Sequence, residues 1–210
     1  MKWVPKNIDR LLEALAQHLY LVCLSVGIAL LISLTVGIWA ARRPRIFTAI
    51  VICAGMLFAV PSLALFALLI PTMGIGAYPA ITGLAAYSLM ILIRNIGIGF
   101  QSIPRDVLDA ADGMGFGPLR RILEIELPLA LPFIVGGLRI ATVTIIGIAT
   151  VAAYINAGGL GAIIFEGIDQ RFPEKILAAG ILTSLLALCA DYALSSLEKR
   201  LLRRTGGRPE

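Results

Sequence analysis

QSIPRDVLDAADGMGFGPLRRILEIELP, residues 101–128, decides how the rest of the chain is read. It carries eight charged residues and lies between two long apolar runs, which makes it a solvent-side segment of an otherwise lipid-soluble chain. Its spacing predicts two short helices joined by a glycine turn. Pro104 suits a first helical position, where a missing N–H costs nothing. Val107, Leu108 and Ala111 then share one face. Gly113 and Gly115 end this helix because they can adopt positive φ. Pro118 starts a second helix through Leu119, Ile122, Leu123 and Glu126, which Pro128 is expected to interrupt. Two short helices in the longest polar loop of a membrane protein read as a docking element.

The flanking chain supports the membrane reading. Of 210 residues, 59% are hydrophobic and only 15% charged, and mean hydropathy is +0.91. A span needs ~20 apolar residues, and five segments qualify: 18–41, 46–70, 78–100, 129–155 and 176–197. The expected fold is therefore all-α and polytopic, with about five transmembrane helices in a single membrane domain over residues 1–210. No GxxxxGK[ST] phosphate loop is present, so any use of ATP needs a separate chain. The first apolar run is too long for a signal-peptide core and ends in Arg42 and Arg43, so it reads as a retained span.

The net charge of +5 is a topology signal rather than a nucleic-acid signal. With residues 101–128 in the cytoplasm, five spans put the N-terminus outside and the C-terminus inside. Eleven of the 18 Lys and Arg then face inward, Arg42, Arg43, Arg45 and Arg208 among them. Five, including Lys2, Lys6 and Arg10, face outward, while Arg94 and Arg139 fall within spans. Cys23, Cys53 and Cys189 all lie in spans without CxxC spacing and read as apolar fillers, giving neither a disulfide framework nor a metal site.

Several residues are candidates for a polar role at membrane depth. Asn7 is placed to cap a short interfacial helix leading into the first span, with His18 on the helix surface at the boundary. Pro61 is expected to kink the second span, which ends at Pro71, and residues 72–79 form a short outer turn. Arg94 and Asn95 lie near the cytoplasmic end of the third span, where Arg94 either snorkels to the headgroups or pairs structurally, or else serves a pathway or a gate. Arg139 lies deeper and needs an acceptor: a freed carbonyl, Asp191 in the fifth span, or a water-filled cavity. Asp191 is itself close enough to the charged C-terminal end to reach the interface. Asn156 begins a glycine-rich turn, residues 156–161, followed by a short amphipathic helix on the outer face. No nucleophile, acid–base pair or metal cluster is apparent, so no catalytic role is expected.

Asp109, Ala110 and Ala111, then Gly115 after three residues, then Ile125, Leu127 and Pro128 after nine more, resemble the EAA motif of ATP-binding-cassette importer permeases. The pattern is E-A-A-x3-G-x9-I-x-L-P, and the chain departs from it only in carrying Asp109 for the usual Glu. The resemblance implies a type I importer permease whose polar loop is the coupling helix gripped by a cytoplasmic ATPase. Small Ala110 and Ala111 would allow close approach while Asp109 offers a carboxylate to an arginine. It also implies that ATP and Mg2+ are bound by the partner ATPase and that this chain holds no cofactor. Five helices are too few to enclose a solute path, so a second permease, identical or paralogous, is expected.

Further stretches resemble the osmoprotectant branch, for glycine betaine, choline and carnitine: VPSLALFALLIP, ILIRNIGIGF, IELPLALPFIVGGLRIA and AAYINAGGLGAIIFEGI. In that branch an extracytoplasmic binding protein captures the ligand in an aromatic cage; this chain is too short to include one. A permease for another small zwitterion or an amino acid would keep the same loop. A passive channel would have no need of it. The implied location is the inner membrane of a prokaryote.

Overall fold

The computed structural model describes residues 3–204, and in it helix α5 (Ala77–Gln101) is the element on which the first, second and fourth spans pack. Helix α5 is buried because glycines on its surface admit aromatic rings from three neighbours. Phe66 packs over Gly83, Phe47 over Gly97 and Phe133 over Gly99, where any Cβ would collide with the ring or its root. In lipid, where apolar side chains gain nothing by leaving solvent, such close backbone packing is what holds spans together.

Helix α2 (Ile8–Ala41) lies along one side of α5, and α8 (Leu127–Val151) along another. Helix α10 (Pro173–Arg204) packs on α8 and on the short α9 (Leu160–Asp169). The 34 residues of α2 run unbroken, roughly 50 Å at helical rise. The interfacial helix expected before the first span is therefore continuous with it, and only α1 (Trp3–Lys6) stands apart. Asn7 sits at the N-cap position, but its Nδ2 donates back to the Trp3 carbonyl at 2.9 Å and not into α2.

His18 is not a surface residue. It is fully buried, and its Nε2–H donates to the Ile146 carbonyl of α8 at 3.1 Å. The three cysteines, in turn, face outward and fill no core.

The second predicted span is broken rather than kinked. Helices α3 (Pro44–Phe58) and α4 (Ser62–Met73) meet at 92°. Pro61 lacks an N–H and takes ψ 134°, so the ladder stops before it. The stranded Val60 carbonyl accepts the Tyr87 hydroxyl of α5 at 2.7 Å, and Phe58 stacks edge-on against the same ring. Pro71 lies inside α4, which continues two residues beyond it. Among the described residues, four helices are long and apolar enough to cross a membrane, or up to five with the bent pair as one span. Lys2, Arg208 and the rest of the tail beyond residue 204 lie outside the described residues.

At the end opposite the polar loop, α8 closes through a 3-10 turn, Ala152–Ile155, into a left-handed Asn156. Helix α9 is clamped there between the starts of α2 and α10. Glu166 is held by the Lys175 ammonium at 2.7 Å and by the Arg10 guanidinium. These two cations bring its carboxyl down from 4.5 to about 2.

Candidate functional site

The polar loop folds as a hairpin of helices. Helix α6 (Arg105–Gly113) starts after Pro104, which occupies the cap position and not the first helical residue. It ends in a Schellman motif: Phe116 N–H donates to the Ala111 carbonyl and Gly115 N–H to that of Asp112. This geometry needs a left-handed residue, and Gly115 supplies it at φ 80°; Gly113 remains helical.

After Gly117, α7 (Pro118–Arg121) passes into a π turn (Ile122–Glu126) and on into α8 without a break. Pro128 therefore does not interrupt the helix as the sequence suggested. Leu127 N–H donates to the Ile122 carbonyl, one residue further back than in an α-helix. The wider turn makes room for the ring of Pro128, which would otherwise press on the preceding turn.

That turn also assembles a charge network that the sequence reading missed. On an α-helix Arg121 and Glu126 would point about 140° apart. Here Arg121 Nε donates to Glu126 Oε1 at 2.9 Å, while its Nη1 reaches Asp112 at 2.6 Å, tying the two helices together. Arg42, from the α2–α3 connection, donates to the same Glu126 oxygen at 2.9 Å. The Glu126 side chain is only 6% exposed, a carboxylate held between two guanidinia. The only sign in the sequence was an acidic residue at the unspecified position of the Ile125–Pro128 tetrapeptide.

The outer surface of the hairpin is different in character. Asp109 is exposed and, among the described residues, has no partner in the chain. Ala110 is exposed beside it, whereas Ala111 is fully buried and packs inward. Ile125 and Leu127 are half-buried at the hairpin root, and Pro128 is exposed. Met114, Leu119 and Leu123 stand open to the outside. The last two line a groove of about 450 Å³ with Gly117, Pro118, Arg120 and Glu124. An open apolar groove and an unpaired carboxylate on one hairpin make a surface suited to a protein partner.

The other polar candidates do not converge. Arg139 makes a two-pronged pair with Asp191 across α8 and α10, at 2.6 and 3.0 Å, and reaches Glu198 at 3.5 Å. Of the acceptors considered for Arg139, Asp191 is the one found. Arg94 points outward from α5. Asn95 donates to the Ile91 carbonyl at 2.8 Å and packs on Gly137. Asn156 is exposed at the far end of the molecule.

Comparison with known proteins agrees with this architecture. Residues 33–203 match the family described as binding-protein-dependent transport system inner membrane component. The chain is 35% identical to the carnitine transport permease protein OpuCB of Listeria monocytogenes, covering 93% of this chain and 90% of that one. It is 36% identical to the osmoprotectant import permease protein OsmW of Salmonella typhimurium, over 91% and 92% of the two chains. Identity to the glycine betaine/carnitine/choline transport system permease protein OpuCB of Bacillus subtilis is 32%, over 96% and 93%. The inward-facing MetNI methionine ABC transporter superposes with a TM-score of 0.81 over 91% of this chain and 95% of that one. At 21% identity that likeness concerns the fold alone.

Proposed function

Because this chain belongs to the family of binding-protein-dependent transport system inner membrane components, we propose that it is the permease subunit of an ATP-driven importer for a quaternary-amine osmoprotectant, of the glycine betaine, choline and carnitine class. The observation that carries this reading is similarity across more than nine-tenths of the chain to permeases named for those solutes. A binding protein outside delivers the solute, and the permease provides a path without catalytic chemistry. ATP and Mg2+ belong to a separate ATPase chain.

The 101–128 hairpin is the handle for that ATPase. Asp109 and the Leu119–Leu123 groove form the gripping face. The buried Glu126 joins α7 to the α2–α3 connection, and Arg121 carries the link on to Asp112 of α6, which makes the hairpin rigid. Motion of the ATPase is thereby transmitted to α2 and α8 together. Two permeases, identical or paralogous, enclose the path, with the N-terminus outside and the C-terminus inside.

The test is ATP-dependent uptake of labelled glycine betaine, choline and carnitine by vesicles holding the complete complex. Accumulation of at least one, abolished without ATP, is the expected result. No accumulation of any of them, with uptake of an amino acid instead, would overturn the substrate class. Uptake that persists without ATP would overturn the importer.

A further inference from the structure

At the α2–α3 connection lies a groove of about 670 Å³ lined by Thr35, Ile38, Trp39, Arg42, Arg43 and Ile122. Apart from Thr35 and the two arginines its lining is apolar, and no carboxylate lines it. Two cations line it. Arg43 lies 4.5 Å over the Trp39 ring and, among the described residues, pairs with no acid. Arg42, which also lines the groove, spends one guanidinium nitrogen, Nη2, on Glu126. The first turn of α3 adds the positive end of a 15-residue helix immediately after Arg43. The Arg42–Glu126 pair fixes this connection at the same end of the molecule as the hairpin.

An apolar trough running along a spanning helix, headed by arginines and a tryptophan, matches a molecule with an anionic head and a hydrocarbon tail. A soluble anion would use the arginines but leave the trough of Ile38, Trp39 and Ile122 without a counterpart. We propose that this groove binds one anionic phospholipid of the leaflet on the hairpin side. Its phosphate sits on Arg43 and Arg42, and an acyl chain lies against Ile38 and Ile122. Because Arg42 then bridges phosphate and Glu126, and because Ile122 belongs to the hairpin's own π turn, the lipid steadies the root of the docking element. The cytoplasmic assignment of that leaflet rests on the proposed function; the groove and its chemistry do not.

The test uses the full-length chain in nanodiscs, with Trp3→Phe leaving Trp39 as its sole tryptophan. Emission is read against phosphatidylglycerol or phosphatidylcholine brominated on the acyl chains, at equal mole fraction. Stronger quenching by phosphatidylglycerol is expected. Arg43→Gln should reduce that preference roughly fivefold, and Lys6→Gln should leave it unchanged. Native mass spectrometry of the unsubstituted chain, counting retained phosphatidylglycerol, gives the same answer without Trp3→Phe. Equal quenching by both lipids, or no change in Arg43→Gln, overturns the site. Relief of quenching by inorganic phosphate also overturns it, in favour of a soluble-anion site. No ATPase enters these readouts, so the lipid site and the importer reading stand or fall separately.

Discussion

Two arginine-centred networks show how differently one chain uses charge at its two depths. At the hairpin root, Glu126 is buried and shared by Arg42 and Arg121, which come from separate elements. Between α8 and α10, Arg139 meets Asp191 and Glu198 in a cluster whose side chains are 27–39% exposed. The first joins the α2–α3 connection to the hairpin through one carboxylate, and Arg121 extends it to α6 through Asp112. The second joins two neighbouring spans through a guanidinium, with an acid to spare. Removing the shared buried carboxylate takes from Arg42 and Arg121 their common acceptor, leaving Arg121 with Asp112 and Arg42 with solvent, whereas in the exposed cluster Arg139 keeps one acid when the other is lost.

The largest effect should therefore come from Glu126→Ala, which leaves Arg42 and Arg121 facing each other. A loss of about 2 kcal/mol is expected from the charged hydrogen bonds removed, read as a lowered Tm of the purified chain. Restoring the carboxylate with Glu126→Asp should recover part of it. Equal Tm values for Glu126→Ala and the parent would erase the contrast between the two networks. Next in size, Arg139→Gln should lower Tm because it leaves Asp191 unpaired within a span and takes from Glu198 its guanidinium partner. The double variant Arg139→Gln, Asp191→Asn should be less harmed than the single one. Additive losses would mean that the pair is not a coupled unit.

Smaller again is Tyr87→Phe, which strands the Val60 carbonyl at the α3–α4 break. A loss of about 1 kcal/mol is expected, together with faster amide exchange confined to residues around the break. The smallest effect concerns pH. The folded carboxyl of Glu166 lies below its ordinary value, so the Lys175 and Arg10 clamp is complete above 4.5 and weakens only as pH falls towards about 2. Exchange protection of α9 should be flat between pH 8 and pH 5, and Glu166→Gln should lower it throughout that range.

The hairpin was legible because its signals are local. Pro118, Gly115 and the Ala110–Ala111 pair each carry their own backbone or packing preference, and eight charges in 28 residues mark it off from the spans. The Arg139–Asp191 pair was partly legible, since a deep arginine must find an acceptor and few were on offer. What escaped was non-local. Pro61 could either kink or break a helix, and the outcome depended on Tyr87, 26 residues away, accepting the role of donor to Val60. His18 looked like a boundary residue because its partner, the Ile146 carbonyl, is 128 residues distant. The Glu126 network depends on a π turn that no residue pattern announces, and on Arg42 arriving from another helix.

The central claim is that the hairpin is where a separate motor takes hold. It is tested most directly by the number of solute molecules imported per ATP hydrolysed, in vesicles carrying the complete complex. In Asp109→Lys the membrane-inserted complex should keep hydrolysing ATP while uptake per ATP falls at least tenfold, since a cation replaces the unpaired carboxylate on the gripping face. An unchanged ratio in that variant, with the ATPase still bound, would contradict the account.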